Sequence, residues 1–371
     1  MRRVVVKIGT SSITDDEGAV DRSTIAKLCG EVAALRRDGV DVVIVTSAAI
    51  AAGLPELGLG GAKRPTDAIT LQAVATVGQS ALMEVYRSEL ARHDLVAGQV
   101  LLVPHDFIVR AQYLHARQTL GRLLELGVVP IVNENDAIAD DEIRWGDNDR
   151  IAALVANLVD AERLVLLTDT DGVLTADPRI DEAASLIEEI HEIDQQHEAL
   201  AGGAGTARGS GGMASKLAAA KIASWSGVDT VIANAARADV VAHAVSEPAT
   251  VGTTVRARSH KLAARKSWIA FAVVARGTIV VDAGARSALE TGKSLLAAGV
   301  RLVEGRFDPG APVEVADPDG VVFAKGLARH GSEEIGRAAG LRSDDLPPGA
   351  PAVVIHADDL VTIPGANPNG S

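Results

Sequence analysis

The sequence has a single cysteine, Cys29, in a chain of 371 residues. One cysteine cannot form an intrachain disulfide, so nothing in the composition requires an oxidising compartment. Because Cys29 lies within a helical pattern, we interpret it as a small buried hydrophobe.

Long apolar runs are also missing. The longest, around residues 42–54, contains Thr46 and Ser47 and is shorter than the roughly 20 residues that a membrane-spanning helix needs. Near the start of the chain, Lys7 interrupts the apolar run that follows two arginines, well before the run reaches the length of a signal-peptide core. These absences predict a cytoplasmic protein without a membrane span.

Positive charge is scarce, since 36 lysine and arginine residues stand against 49 aspartate and glutamate residues, for a net charge of −13. Such a chain is a poor general partner for nucleic acid, and it suits small anionic substrates only where cations are concentrated locally. Apolar residues are abundant, at 47% with a mean hydropathy of +0.18. At this length they predict a compact protein with a large core and room for two domains.

The P-loop pattern Gly-x-x-x-x-Gly-Lys-Ser/Thr is absent as well, and its nearest look-alike, residues 291–294, lacks the first glycine and a preceding strand. The chain instead has two lysines in turns suited to phosphate. Lys7 ends a β-branched run and precedes Gly-Thr-Ser-Ser, while Lys216 closes the glycine loop 209–216 before an Ala-rich helical pattern. Backbone amides beyond a strand and at a helix N-terminus bind anions, so together the lysines predict phosphoryl transfer. Taken singly, they could be a strand-end lysine reaching solvent and a mobile surface loop.

Up to about residue 255, short Val/Ile/Leu runs alternate with Ala-rich helical patterns. The predicted strands are residues 4–8, 42–45, 96–101, 128–132, 164–167 and 230–232, and the predicted helices include 66–93, 113–126, 150–159 and 216–224. This alternation predicts an α/β domain over residues 1–255, with an open, mainly parallel sheet and helices on both faces. Polar, Gly-rich segments follow several strands, so we expect the functional site at the carboxyl edge of the sheet.

A basic segment, residues 256–275, is interpreted as a solvated linker. Beyond it, residues 276–356 carry closely spaced strand patterns with Asp/Pro/Gly turns, which predict a small, mainly β domain. The predicted strands are residues 277–282, 300–305, 312–316, 321–327 and 352–355. Residues 357–371 are predicted to be a C-terminal tail, without any pattern from residue 364 onward.

Acidic and amide side chains follow the fourth predicted strand, in residues 133–136 and again in residues 146–150. Asp147 or Asn148 could simply cap the next helix, because Asp and Asn are favoured at that position. A cap needs one such residue, however, and these two clusters contain seven. They suit a ligand with a cationic amine and polar ends.

The fifth strand leads into Thr-Asp-Thr-Asp-Gly-Val and Thr-Ala-Asp-Pro-Arg, residues 168–179. This segment resembles the nucleotide-binding segment of the amino acid kinase family, whose members phosphorylate carboxylates, carbamate or a nucleotide phosphate. Five further segments resemble, in order and at ordinary spacing, those of the glutamate 5-kinases within that family: residues 7–11, 45–50, 133–136, 146–149 and 211–216. Because residues 276–356 resemble the PUA domain that many of these enzymes carry, the resemblance covers essentially the whole chain.

The resemblance implies ATP-dependent phosphorylation of the side-chain carboxylate of L-glutamate, the first step of proline biosynthesis. It implies that Lys7 and Lys216 contact the phosphates, with Asp147 as a third catalytic residue. The residues implied to hold ATP are Lys7, Thr168, Asp169, Ser210, Gly211, Gly212, Met213, Ala214, Ser215 and Lys216. Those implied to bind glutamate are Ser47, Asp136, Asn148 and Asp149.

Two points about this implied site stay open. Mg²⁺ is expected mainly on the ATP phosphates, but Asp136 and Asp149 could either pair with the substrate ammonium or hold Mg²⁺ through water. In addition, the family usually has glycine where this chain has Ala48. A Cβ opposes a positive φ, which puts the geometry around Ser47 in question.

The resemblance further implies inhibition by proline, a homo-oligomer (dimer or tetramer), and transient contact with glutamyl phosphate reductase. Three alternatives remain: an aspartate or N-acetylglutamate kinase, an RNA-binding protein, and a proline or glutamate sensor without catalysis. PUA domains commonly contact RNA, but residues 276–371 hold nine basic against thirteen acidic residues, a poor match for a phosphate backbone. The presence of both lysines argues against the sensor.

Overall fold

The computed structural model describes residues 2–15, 18–59, 64–107, 109–138, 148–176, 181, 183–201, 212–259, 266, 269–270, 275–347 and 350–362. The chain divides into two compact units, Met1–Lys261 and Leu262–Ser371. This division lies inside the segment predicted to be a linker. In the described residues, no helix is long and apolar enough to cross a bilayer.

The first unit alternates strands and helices along the chain. Its described strands are β1 Arg3–Ile8, β2 Asp41–Val45, β3 Ala97–Leu102, β4 Val129–Glu134, β5 Arg163–Thr168, β6 Glu189–Ile190, β7 Asp229–Asn234 and β8 Thr253–Val255. Its described helices are α1 Thr10–Ile13, α2 Arg22–Arg37, α3 Ala49–Glu56, α4 Ala68–Ala91, α5 Arg110–Glu125, α6 Asn148–Leu158, α7 Gln195–Ala201, α8 Met213–Trp225 and α9 Val240–Val245. A short 3₁₀ turn, Pro104–Phe107, follows β3.

The strands of this unit form one sheet, which in the described residues has the order β3-β4-β2-β1-β5-β7-β8-β6. All neighbouring strands run parallel except β8, which is antiparallel to β7. Strands β2, β4 and β5 are buried along their whole length, as expected when helices cover both faces. The predicted mainly parallel α/β architecture is therefore confirmed, and the central position of β1 puts Lys7 in the middle of the carboxyl edge.

Helix α2 shows how local sequence determines an element of this fold. Asp21 caps its N-terminus by accepting hydrogen bonds from the backbone N–H groups of Ser23 and Thr24. Apolar residues spaced by three and four then turn one face toward the core, Ile25 and Cys29 among them. Burial raises the pKa of the Cys29 thiol to about 12, which agrees with its interpretation as a buried hydrophobe.

Helices α3 and α4 cross with their backbones in contact. A Cβ on Gly78 would lie 1.8 Å from the carbonyl oxygen of Ala49 and 2.3 Å from the backbone nitrogen of Gly53. Only glycine fits such an approach, because no real Cβ comes so close to another heavy atom. The crossing holds the start of α3, next to Ser47, against the segment of α4 that carries Gln79.

The second unit is a small, mainly β domain, as predicted. Its described strands are β9 Thr278–Val281, β10 Leu295–Leu296, β11 Val300–Glu304, β12 Pro312–Ala316, β13 Val322–Leu327, β14 Val353–Ile355 and β15 Leu360–Thr362, and its helices are α10 Ala283–Glu290 and α11 Ser332–Ala338. Short 3₁₀ turns cover Ala297–Gly299, Ser343–Asp345 and Ala357–Asp359. Five strands form a sheet in the order β11-β9-β12-β13-β15, and β10 pairs with β14.

The structure corrects the predicted start of the C-terminal tail at residue 357. Residues 360–362 form β15, which pairs antiparallel with β13, and Leu360 belongs to the core of the unit. A strand of three residues is too short to show an alternating pattern in the sequence, so the prediction ended the domain one strand too early. The segment predicted to lack any pattern, from residue 364, lies outside the described residues.

The first part of the predicted linker also differs from a solvated connection. Arg256 pairs with Glu189 and lies 3.1 Å from Asp229, both within the first unit. Arg258 pairs with Glu192, and its guanidinium carbon lies 3.9 Å from the ring centre of Trp225. These two arginines are therefore part of the first unit, and their charge is already compensated there.

Candidate active site

Two lysines and one aspartate form a buried cluster at the carboxyl edge of the large sheet. Lys7 Nζ lies 2.6 Å from Asp149 Oδ1, and Lys216 Nζ lies 3.3 Å from Asp149 Oδ2. The hydroxyl of Ser215 donates to Asp149 Oδ2 over 2.6 Å. Asp149 is fully buried, and Lys7 and Lys216 are only 3% and 4% exposed. The two predicted phosphate lysines, which are 209 positions apart in the chain, therefore share one carboxylate.

Three elements that meet at this edge position the cluster. Lys7 lies near the end of β1 and is followed by Gly9, where a Cβ would be only 3.3 Å from Lys7 Nζ. Asp149 lies in the first turn of α6, and Lys216 lies in the first turn of α8, whose N-cap is Gly212. Both helices thus begin beside the lysines, and the partial positive charge of a helix start makes this region attractive to an anion.

The surroundings of Asp149 favour its ionised form. Burial opposes ionisation of Asp149, but the charges of Lys7 and Lys216 and hydrogen bonds from Lys7 and Ser215 hold its pKa below the ordinary value. The ionised carboxylate therefore bridges the two lysine side chains. Lysine side chains gathered beside two helix starts favour an anionic ligand.

A chain of hydrogen bonds continues from this cluster to β4 and α4. Asn148 Nδ2 donates to Ser47 Oγ over 3.2 Å, and Asn148 Oδ1 accepts from the backbone N–H of Glu134 over 3.2 Å. The same N–H lies 2.9 Å from Asn133 Oδ1, and Asn133 Nδ2 donates to Gln79 Oε1 over 2.7 Å. The structure therefore brings Ser47 and Asn148 together, directly beside Asp149.

The turn at Ala48 has the left-handed backbone that glycine usually provides, with φ 78° and ψ 18°. We expected a Cβ to oppose a positive φ at this position. Ala48 nevertheless adopts a positive φ, with its side chain buried in the core. The turn is held on its other side by a buried hydrogen bond of 2.8 Å between the hydroxyl groups of Thr46 and Tyr86. Ser47 is consequently positioned from both sides.

Asp136 follows β4, two residues after Glu134, with which that strand ends. Both acidic residues line a cavity of about 190 Å³ between α4 and the ends of β3 and β4. Burial raises the pKa of Asp136 to about 6. Asp136 is thus separate from the lysine cluster, whereas Asp149, predicted with it as a glutamate ligand, lies inside that cluster.

The remaining predicted residues have simpler surroundings or lie outside the described part. Thr168 ends β5, the neighbour of β1, and its hydroxyl donates to Asp169 Oδ1 over 3.1 Å. Met213 and Ala214 form the start of α8. The predicted residues Asp147, Ser210 and Gly211 lie outside the described residues.

Sequence reasoning missed the link between Asp149 and the lysines, as well as Gln79 and Tyr86. A signal for the first was present, because α6 is apolar from Ile151 to Ala156 and Asp149 lies at its start. An aspartate on a helix buried on every side needs cationic partners. Gln79 and Tyr86 lie in the middle of α4 and carry no comparable signal.

The chain is similar to known protein families and proteins along most of its length. The amino acid kinase family matches residues 2–234, and the PUA domain matches residues 277–348. A glutamate 5-kinase from Pelobacter propionicus is 44% identical over 368 residues, which cover 98% of both chains. Those from Geobacter sp. (strain M21) and Burkholderia multivorans are 45% and 46% identical, over 93% and 90% of this chain and 92% and 89% of theirs.

Among solved structures, isopentenyl phosphate kinase matches 68% of this chain and 100% of its own, at 19% identity and a TM-score of 0.48. The matches to these relatives span both units, and their sequence identities are high enough to establish membership of the family. The chain therefore belongs to the amino acid kinase family and, within it, to the glutamate 5-kinases.

Proposed function

We propose that this chain transfers the γ-phosphoryl group of ATP to the side-chain carboxylate of L-glutamate, giving γ-glutamyl phosphate, the first step of proline biosynthesis. Family membership supports the proposal, and the observation that carries it is the buried group of Lys7, Asp149 and Lys216 at the carboxyl edge of the sheet. A site of this kind suits the meeting of two anions, which is the difficulty of the reaction.

The nucleophile needs no general base, because a glutamate side chain has a reference pKa near roughly 4.3 and is ionised at neutral pH. Its approach to the γ-phosphate is opposed by like charge, at about 4 kcal/mol for unit charges about 4 Å apart and an effective dielectric constant near 20. The ammonium groups of Lys7 and Lys216 offset this repulsion where charge develops in the transition state.

We assign Asp149 a positioning role in place of the predicted contact with the substrate ammonium. Its two carboxylate oxygens each contact one lysine, and Ser215 adds a hydrogen bond to one of them. An oxygen that already bonds an ammonium group within 3.3 Å is a weak partner for a second cation. Asp149 instead holds the side-chain nitrogens of Lys7 and Lys216 close together in one region of the site.

The nucleotide is assigned to the segment that follows β5 and to the start of α8. Thr168 and Asp169 would contact it from one side, and residues 210–216 with their backbone N–H groups would hold its phosphates. Lys7 and Lys216 would contact the phosphoryl group in transfer, and Asp147 stays a predicted catalytic residue. Mg²⁺ would neutralise phosphate charge and is assigned mainly to the ATP phosphates.

Glutamate is assigned to the region beside this cluster. Ser47 and Asn148, which contact each other, would bind it near its reacting end. Asp136 would pair with its α-ammonium group. Inhibition by proline, a dimer or tetramer, a hand-off to glutamyl phosphate reductase and a cytoplasmic location remain predictions from the family resemblance.

The test is to trap the acyl phosphate as a hydroxamate. Purified protein, Mg-ATP and hydroxylamine are incubated with L-glutamate, L-aspartate or N-acetylglutamate, each with and without proline. We expect hydroxamate with glutamate only, and less of it when proline is present. A product with aspartate or N-acetylglutamate alone would reassign the substrate, and no product with any acceptor would remove the kinase proposal.

A further inference from the structure

The cavity beside Asp136 has a polar wall that the proposed contacts do not use. It lies between α4 and the ends of β3 and β4, measures about 190 Å³, and is lined among others by Gln79, Gln99, Glu134 and Asp136. A single water needs roughly 10–15 Å³ of such space, so the cavity has room for several waters or for the polar end of a small metabolite.

The orientation of the Gln79 amide in this cavity is determined by a backbone group. The backbone N–H of Glu134 can only donate, so the atom of Asn133 beside it, 2.9 Å away, must be the carbonyl oxygen. The Asn133 amino group then faces Gln79 and donates to its oxygen over 2.7 Å. The oxygen of the Gln79 amide thus accepts from Asn133, and the amino group of Gln79 remains available to donate to a ligand.

That amino group has no hydrogen-bond partner in the part of the chain that the structure describes, although its atom is buried. The Gln79 residue is only 7% exposed. Leaving a buried donor unsatisfied costs about 1–3 kcal/mol, so a donor kept in this state is expected to have a ligand. A ligand group that accepts from it must carry an oxygen.

Asp136 supplies the opposite chemistry in the same cavity. Its carboxylate is desolvated and has no hydrogen bond or ion pair with the described residues, so it favours a cation. An unsatisfied amide donor beside an unpaired carboxylate is complementary to a zwitterion, which presents a carboxylate and an ammonium group on one carbon. The pair therefore matches the head group of a free α-amino acid.

We propose that Gln79 donates a hydrogen bond to the α-carboxylate of the amino-acid substrate and thereby makes the enzyme specific for a free α-carboxyl group. This inference rests on the proposed function, since it takes L-glutamate as the substrate. The position agrees with it, because Gln79 is joined through Asn133 and the Glu134 backbone to Asn148, next to the phosphate lysines.

The experiment compares L-glutamate with isoglutamine, in which an uncharged amide replaces the α-carboxylate and the reacting side chain is unchanged. Gln79→Glu keeps an oxygen for Asn133 but replaces the donor by a negative charge. Gln79→Met removes both. We expect both variants to raise the KM for glutamate about tenfold or more, with the KM for ATP unchanged, since charge-assisted hydrogen bonds are among the strong ones.

The preference for glutamate over isoglutamine, as the ratio of kcat/KM values, should fall about tenfold in both variants. A purely structural role through Asn133 predicts another result: Gln79→Glu would behave as the wild type, and only Gln79→Met would be impaired. Gln99→Glu is the matched control, because it adds the same charge at the exposed rim of the same cavity. An equal fall in that control would attribute the effect to charge alone and overturn the proposal.

Failure of the inference can be separated from failure of the proposed function. If the wild type forms no glutamate hydroxamate, the kinase proposal fails. Titration calorimetry of glutamate and isoglutamine against wild type and Gln79→Glu then still tests the contact. If the wild type is active and Gln79→Glu keeps both its KM for glutamate and its preference over isoglutamine, only the role of Gln79 is wrong.

Discussion

The two edges of the large sheet both hold buried charge, but in different surroundings. At the amino edge, four adjacent strands begin with a charged residue: Asp41, Arg3, Arg163 and Asp229. Arg163 contacts Asp229 at 3.5 Å, pairs with Glu247, and donates to the backbone carbonyl groups of residues 244 and 246. Arg256 also pairs with Asp229 and with Glu189. Two guanidinium groups therefore meet three carboxylates.

At the carboxyl edge, the ammonium groups of Lys7 and Lys216 both contact Asp149. The helix starts of α6 and α8 add further positive potential there. The described ion pairs of the amino edge join strands and loops of the fold to one another, whereas those of the carboxyl edge lie beside two helix starts that favour an anion. The difference predicts that the amino edge stabilises the fold and that the carboxyl edge serves the reaction.

The largest expected effect comes from exchanging one cation at each edge for an apolar side chain of similar length. Lys216→Met should lower kcat about a thousandfold, as loss of a charged group at a transition state does, with little change in stability. Arg163→Met should leave kcat per folded molecule unchanged and lower the free energy of unfolding by about 3 kcal/mol, since it leaves carboxylates without their partner. Hydroxamate formation and urea unfolding measure the two quantities. If Lys216→Met chiefly destabilised the protein, the comparison would fail.

Neutralising one carboxylate at each edge sharpens the same comparison. Asp149→Asn leaves two buried ammonium groups without their counter-charge, so it should lower kcat about a hundredfold and stability by about 3 kcal/mol. Added pyrophosphate should restore the melting temperature of this variant more than it raises that of the wild type, because an anion replaces the lost charge. Asp229→Asn at the amino edge should show no such rescue. Equal rescue of both variants would mean that the anion does not act at the lysines.

Removal of a neutral side chain at the carboxyl edge should change substrate binding more than the rate of phosphoryl transfer. Asn148→Ala breaks the hydrogen bonds to Ser47 and to the Glu134 backbone. We expect the KM for glutamate to rise about tenfold, with kcat within a few fold and the KM for ATP unchanged, because Asn148 is neutral and carries none of the charge stabilisation. Steady-state kinetics with each substrate varied will show this. A change confined to the KM for ATP would move Asn148 to the nucleotide side of the site.

The sequence predicted the strands of the large sheet because their apolar runs are nearly continuous, and it predicted the edge at which the site lies because polar segments follow those strands. It did not predict that Asp149 joins Lys7 to Lys216. That contact depends on the relative positions of the first turns of α6 and α8 in the folded unit. The local sequence around residues 149 and 216 does not show those positions. Strand β15 was missed since three residues carry too little pattern. The donor of Gln79 became visible only through the cavity that it lines.

Asp136, at the carboxyl edge, should lower the stability of the folded protein although it assists substrate binding. Burial raises the pKa of Asp136 to about 6 from an ordinary value of 3.8. The folded state therefore binds the proton more tightly, so stability falls as the pH rises from about 4 to about 6 and then stays constant. Asp136→Asn should be more stable than the wild type at pH 8 by up to about 3 kcal/mol, and equally stable near pH 4.

The same titration should appear in the kinetics of the wild type. An ionised Asp136 is needed for the substrate ammonium, so kcat/KM for glutamate should fall below pH of about 6. Asp136→Asn should have a low kcat/KM that no longer changes through this range. Thermal melts and initial rates at matched pH values provide both measurements. A variant less stable than the wild type at pH 8 would show that Asp136 has a stabilising partner.

The smallest expected effect is at Ala48, where strain and burial oppose each other. A non-glycine residue at φ 78° costs about 1 kcal/mol, and glycine would remove that cost. The same change removes a buried methyl group worth about 0.8 kcal/mol and makes the unfolded chain more flexible. Ala48→Gly should therefore shift the free energy of unfolding by less than about 1 kcal/mol. Because the bond between Thr46 and Tyr86 holds the turn from its other side, the KM for glutamate should stay within about twofold. A tenfold change would mean that the methyl group itself shapes the pocket at Ser47, and the carboxyl edge would then depend on packing as well as on charge.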